Sequence, residues 1–73
     1  MLLNKDMCVM KRMVVLFNSK FKQDVKDYLV MNRVRYSMYT DIYTGEVRIS
    51  VAHSKGVILT AELRRASIPY ELL

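Results

Sequence analysis

From Arg12 onward the apolar positions change period several times, and each change marks an element. Met13-Val14-Val15-Leu16-Phe17 is a short apolar run rich in strand formers, and Asn18-Ser19 closes it. Asn18 or Ser19 can cap a following helix, because their side-chain oxygens accept a first-turn amide hydrogen. Phe21, Val25, Tyr28, Leu29 and Asn32 then fall at i, i+4, i+7, i+8 and i+11, one face of a 3.6-residue period. Lys20, Lys22, Gln23, Asp24, Lys26 and Asp27 occupy the other faces, and the helix is expected to stop near Asn32-Arg33. Ahead of all this, Met1 to Arg12 show no period, which predicts a mobile arm over residues 1–11 and a single domain over 12–73.

Two alternating runs follow, Val34 to Tyr43 and Glu46 to His53, joined by Thr44-Gly45. A two-residue hairpin loop is expected there, with Gly45 supplying a positive φ. With Tyr43 opposite Glu46, that register sets Ile42 opposite Val47, Thr40 opposite Ile49 and Met38 opposite Val51 on the buried side. The outer side then pairs Asp41 with Arg48 and Tyr39 with Ser50, the first an opposite-charge pair that favours the register. His53 ends the second run on the core-facing side, where a partly buried structural imidazole is expected rather than a catalytic base.

After His53 two readings compete. Ser54-Lys55-Gly56 can form a hairpin loop into a third alternating strand through Val57, Leu59, Ala61 and Leu63, which gives a β-α-β-β-β meander. Alternatively Ser54 caps a helix to about Ala66, with Leu59, Leu63 and Ala66 at i, i+4 and i+7. An internal repeat favours the helix. A shift of 34 residues lays Met13, Val15 and Phe17 on Val47, Ile49 and Val51, then Val25 on Leu59 and Leu29 on Leu63, then Val34 on Ile68, Tyr36 on Tyr70 and Met38 on Leu72.

A doubled β-α-β unit with interleaved antiparallel strands resembles the ferredoxin-like split fold, β-α-β-β-α-β, over residues 12–73. The run Leu63-Arg64-Arg65-Ala66-Ser67-Ile68-Pro69-Tyr70-Glu71-Leu72 reads like its last helix-to-strand step, with Pro69 placed on an edge strand. The predicted class is therefore α+β, a small antiparallel sheet with helices on one face. This architecture hosts many unrelated activities and implies no function by itself.

Composition narrows the function without choosing it. The 73 residues are 52% hydrophobic and 26% charged, with only two Gly and one Pro, which argues for a folded core rather than disorder. No apolar run approaches a membrane span, and Lys5 and Asp6 interrupt the start, so neither a span nor a signal peptide is expected. The single Cys8 excludes a disulfide framework within one chain and fits a reducing cytoplasm. Twelve Lys and Arg against seven Asp and Glu give a net charge of +5. Such a balance favours acidic partners, and it equally serves solubility.

Catalytic chemistry finds little support in the residue list. One His and one Cys are too few for a metal site or a redox pair, and Asn18-Ser19 stands where the reactive cysteines of a thioredoxin-like fold would begin. No cofactor, metal or catalytic residue is expected. His53-Ser54-Lys55-Gly56 lacks the flanking glycines of a P-loop and reads as an ordinary capped turn. RNA-recognition domains of this architecture stack bases on central-strand aromatics. Here the corresponding open face carries Val14, Leu16, Arg48, Ser50 and Ala52, so that platform is not expected. Phosphate contact through Lys20, Lys22, Lys26, Arg64 and Arg65 stays open.

Val14 and Leu16, flanked by Tyr39 and Tyr43 and rimmed by arginines, read as an exposed patch of the kind that contacts proteins, unless the arm covers it. The expectation is a non-enzymatic regulatory protein that binds a macromolecule through Lys5, Lys11, Arg12, Leu16, Arg35, Tyr39, Tyr43 and Arg48. In size, charge and lack of catalytic residues the chain resembles small bacteriophage proteins that bind host RNA polymerase, whether inhibitors or antiterminators, acting in the host cytoplasm. A basic nucleic-acid-binding protein and a homodimeric module are the alternatives.

Overall fold

The computed structural model describes residues 11–73. Residues 1–10 of the expected arm, with Lys5 and Cys8, lie outside the described residues. Strand β1 (Arg12–Asn18) leads through a 3-10 turn (Ser19–Phe21) into helix α1 (Lys22–Met31). Strands β2 (Tyr36–Asp41) and β3 (Glu46–Ala52) form the hairpin, helix α2 (His53–Arg65) follows, and the short β4 (Glu71–Leu72) ends the chain. The sheet has the order β2-β3-β1-β4 with every neighbouring pair antiparallel. Each helix thus connects two parallel strands separated by one antiparallel strand. This arrangement is consistent with a ferredoxin-like one, and the meander is excluded because residues 53–65 are helical.

Strand parity decides what is buried. Met13, Val15 and Phe17 pair with Val51, Ile49 and Val47. Val15, Ile49, Val47 and Val51 are wholly inaccessible, packed with Phe17 of β1, Val25 and Leu29 of α1, Leu59 and Leu63 of α2, and Ile68. Ten such side chains are a small core, and at roughly 25 cal/mol per Å² of apolar surface their burial is the main stabilising term. Gly56 lets α2 approach the sheet: a Cβ there would meet Met13 Sδ at 2.5 Å and Met13 Cβ at 2.8 Å. Thr60 is also buried, and its Oγ1 donates to the Val57 carbonyl at 3.0 Å, so the hydroxyl is satisfied.

The 34-residue repeat reaches the backbone. Both helices end with a residue in the left-handed region, Arg33 (φ 55°) and Ser67 (φ 60°), which the shift superposes. Val34 N–H donates to the Leu29 carbonyl and Ile68 N–H to the Leu63 carbonyl, each at 2.9 Å, while Arg33 and Ser67 bond back to Val30 and Arg64, each at 3.1 Å. These are two Schellman ends, each carrying its hydrophobic contact. Neither α-helix start carries a side-chain cap; Asn18 Oδ1 instead caps the 3-10 turn that precedes α1, accepting from Lys20 N–H at 2.8 Å.

Several expectations are corrected. The hairpin loop has four residues, Ile42 to Gly45, and the pairing slides by two: Asp41 faces Glu46, Thr40 faces Val47, Met38 faces Ile49 and Tyr36 faces Val51. A two-residue loop would need a positive φ at β-branched Thr44. Instead Asp41 Oδ1 accepts from Tyr43 N–H at 2.9 Å and Thr44 N–H at 3.3 Å, the Asp41 carbonyl accepts from Gly45 at 2.8 Å, and Gly45 alone takes φ 75°. A slip of two keeps every side chain on its face, so the core is unchanged, but the Asp41–Arg48 and Tyr39–Ser50 pairs are replaced. His53 is exposed and not core-facing, because the strand ends at Ala52 and α2 starts at His53. Ser54 consequently lies inside the helix, and Ala66, its C-cap, is exposed. Leu72 keeps the expected inward register opposite Val15, yet at the edge it is half exposed.

Candidate interaction surface

One sheet face holds the helices, and no helix packs on the other among the described residues. The open face is built from alternate residues of four strands. Across its middle run Tyr39, Arg48, Leu16 and Glu71, each opposite the next. The next row is Ser37, Ser50 and Val14, and beyond it Ala52 pairs with Arg12. The register carried one residue further places Arg35 beside Ala52. At the other end Asp41 faces Glu46, which faces Asn18.

This order polarises the face. Lys11, Arg12 and Arg35 gather at the end where β1 begins, all exposed, and exposed Arg48 lies at the centre. Asp41, Glu46 and Glu71 gather where β1 ends. Arg12 is laid flat over the neighbouring strand: Nε donates to Ser50 Oγ at 3.1 Å and Nη2 to the Ser50 carbonyl at 2.9 Å. Its guanidinium is therefore held over the sheet, with further N–H groups left to donate. Tyr39, directly opposite Arg48, is 62% exposed. A planar phenol on the strand position facing Arg48 can donate, accept and stack at little entropic cost, which suits a protein surface carrying carboxylates.

Three of the expected residues sit elsewhere or differ. Leu16 is only 9% exposed, lying between Arg48 and Glu71, so the expected apolar patch with Val14 does not form. Tyr43 is in the hairpin loop, 92% exposed, because the four-residue turn removes it from β2. Lys5 lies outside the described residues. The structure brings Arg12, Arg35, Tyr39 and Arg48 to one face; exposed Lys11 precedes β1 at the same end, where its carbonyl accepts from His53 N–H, with the parity of Met13 rather than of Arg12. The charge polarity was missed in the sequence because the slipped register had set Asp41 against Arg48 rather than against Glu46.

The helix layer is engaged differently. Arg64 Nη1 donates to Tyr70 Oη at 2.6 Å, and Lys20 Nζ stands 5.2 Å from the Phe21 ring centroid. Arg65 grips Glu62 with two hydrogen bonds of 3.0 and 2.6 Å. Those bonds hold the partly exposed Glu62 carboxyl below the usual carboxylate range and raise Arg65 above its ordinary value. Three of the five basic residues weighed for phosphate contact are thus occupied within the chain.

Catalytic geometry is sparse. A shallow depression of about 510 Å³ at the acidic end is lined by Leu16, Asn18, Glu46, Tyr70 and Glu71 among others, without a His, Cys or Lys. Among the described residues no three His, Cys, Asp or Glu side chains converge on a metal position, and no helix is long and apolar enough to cross a membrane. No family model, curated protein or solved structure matches the chain.

Proposed function

We propose that this chain is a non-catalytic regulatory domain that binds an acidic protein surface through the open face of its sheet. The observation that carries the reading is the exposed Tyr39–Arg48 pair at the centre of that face, with Arg12 fixed over Ser50 beside it. Arg35 and Lys11 extend the basic end, and the Asp41, Glu46 and Glu71 end orients a partner whose own charge is graded. Binding acts by occupancy: the domain covers a surface that another macromolecule needs, and no substrate is turned over. The resemblance to small bacteriophage proteins makes bacterial RNA polymerase the first partner to test.

Tagged protein is incubated with bacterial lysate, treated with nuclease, washed at moderate salt and read by mass spectrometry. A stoichiometric protein that survives nuclease and is lost with the Arg12→Glu, Arg48→Glu double variant is the expected result, and polymerase subunits would give its sharper form. Recovery of nucleic acid alone, or undiminished capture by the folded double variant, overturns the reading.

A further inference from the structure

The sheet ends differently at its two edges. β4 is two residues long and follows Pro69, so it offers little backbone for pairing. β2 runs six residues, pairs with β3 on one side only among the described residues, and keeps its register throughout. It contains no Pro, no Lys and no bulge, the devices that blunt a free edge. Such an edge presents a row of backbone donors and acceptors to another strand.

We propose that β2 pairs antiparallel with β2 of a second copy, about a two-fold axis through Met38 perpendicular to the sheet. Two four-stranded sheets then become one of eight strands, with the helices of both copies on the same side. Charge complementarity selects the register. Centred on Met38, the pairing sets Tyr36 opposite Thr40, Ser37 opposite Tyr39, and Arg35 opposite Asp41, the last pair occurring once on each side of the axis. Centring on Tyr39 moves Arg35 opposite Tyr43 in the loop. Centring on Ser37 moves Asp41 opposite Arg33, which the end of α1 holds outside the strand. A register shifted by half a step sets core-facing side chains against outward ones.

The same register covers exposed apolar surface. Ile42, 81% exposed, and Tyr43 follow β2 directly, so they come beside Val34 and Arg33 of the other copy. The two half-buried Met38 side chains, each packed against its own core, meet at the axis. Seven paired residues form a smaller contact than the roughly 1,000 Å² of a stable complex, so the dimer is weak and reversible. It sets two Tyr39–Arg48 surfaces side by side on one side of the enlarged sheet.

The test uses purified chain alone. Sedimentation velocity from about 10 to 500 µM spans the range expected of so small an interface. The mass should rise with concentration from 8.6 kDa toward twice that value. Amide exchange in β2 should slow in parallel. Arg35→Glu, at an exposed position outside any strand, sets Glu against Asp41 twice, and should move the midpoint up at least tenfold with an unchanged circular dichroism spectrum. Adding Asp41→Asn keeps an oxygen for the hairpin turn, removes the repulsion and should recover part of the loss. A constant mass of one chain over the whole range, or a midpoint that Arg35→Glu leaves in place, overturns the proposal. Either failure leaves the partner reading standing, since that capture depends on Arg12 and Arg48.

Discussion

The two faces of this sheet are made by the same strands, one residue apart, and they obey different rules. On the helix side, Val15, Val47, Ile49 and Val51 are sealed within a cluster of ten buried apolar side chains. On the open side the same strands set Arg12, Arg48 and Tyr39 into solvent and order their charges from one end to the other. Parity separates these residues, with buried Leu16 the exception on the open side. Function of this kind leaves no motif, because it needs a surface and not a constellation.

Substitutions that cross this division should show it, beginning on the sealed face. Ile49→Ala removes a central side chain with no access to water and should lower stability by about 2–5 kcal/mol in urea unfolding. Arg48→Glu, one residue away on the other face, should stay within about 0.5 kcal/mol of the native value. Next comes Gly56→Ala, where the new methyl meets Met13. Overpacking of about 1–3 kcal/mol should outweigh the gain of about 1 kcal/mol in helix propensity. Met13→Ala in the same chain should recover only part of the loss, because it removes the Sδ and Cγ contacts but keeps the Cβ at 2.8 Å.

The smallest effect lies at the repeated helix ends. Arg33 and Ser67 hold left-handed backbone that costs a non-glycine residue about 1 kcal/mol. Arg33→Gly and Ser67→Gly should each stabilise by up to about that amount in the same unfolding measurement. A loss at either position would mean that its side chain contributes more than the backbone conformation costs.

Periodicity was enough to reveal the core. Val15, Val25, Leu29, Leu59 and Leu63 are assigned by spacing, and the 34-residue shift chose α2 over a third strand by aligning Leu29 with Leu63. The shift also aligns Arg33 with Ser67, although neither residue type announces a left-handed cap. The hairpin register was not legible, since alternation looks the same after a slip of two, and the Asp41 side-chain bonds that fix the turn are local geometry. His53 escaped for a related reason: alternation continued on paper past Ala52, where the backbone turns into α2. Tyr39 and the arginines of the open face were readable from parity, while the burial of Leu16 depends on its surroundings in three dimensions.

The central claim is that the open face, and not the overall positive charge, captures the partner. Affinity of the captured protein for three purified chains tests it most directly: the native chain, Arg12→Glu with Arg48→Glu, and Lys22→Glu with Lys26→Glu on α1. The two variants lower the net charge equally. The account predicts that the open-face variant loses at least tenfold in affinity at moderate salt while the helix variant stays within about twofold of native, as expected for exposed charges remote from an interface. Equal losses in the two variants, or a loss confined to the helix variant, would contradict it.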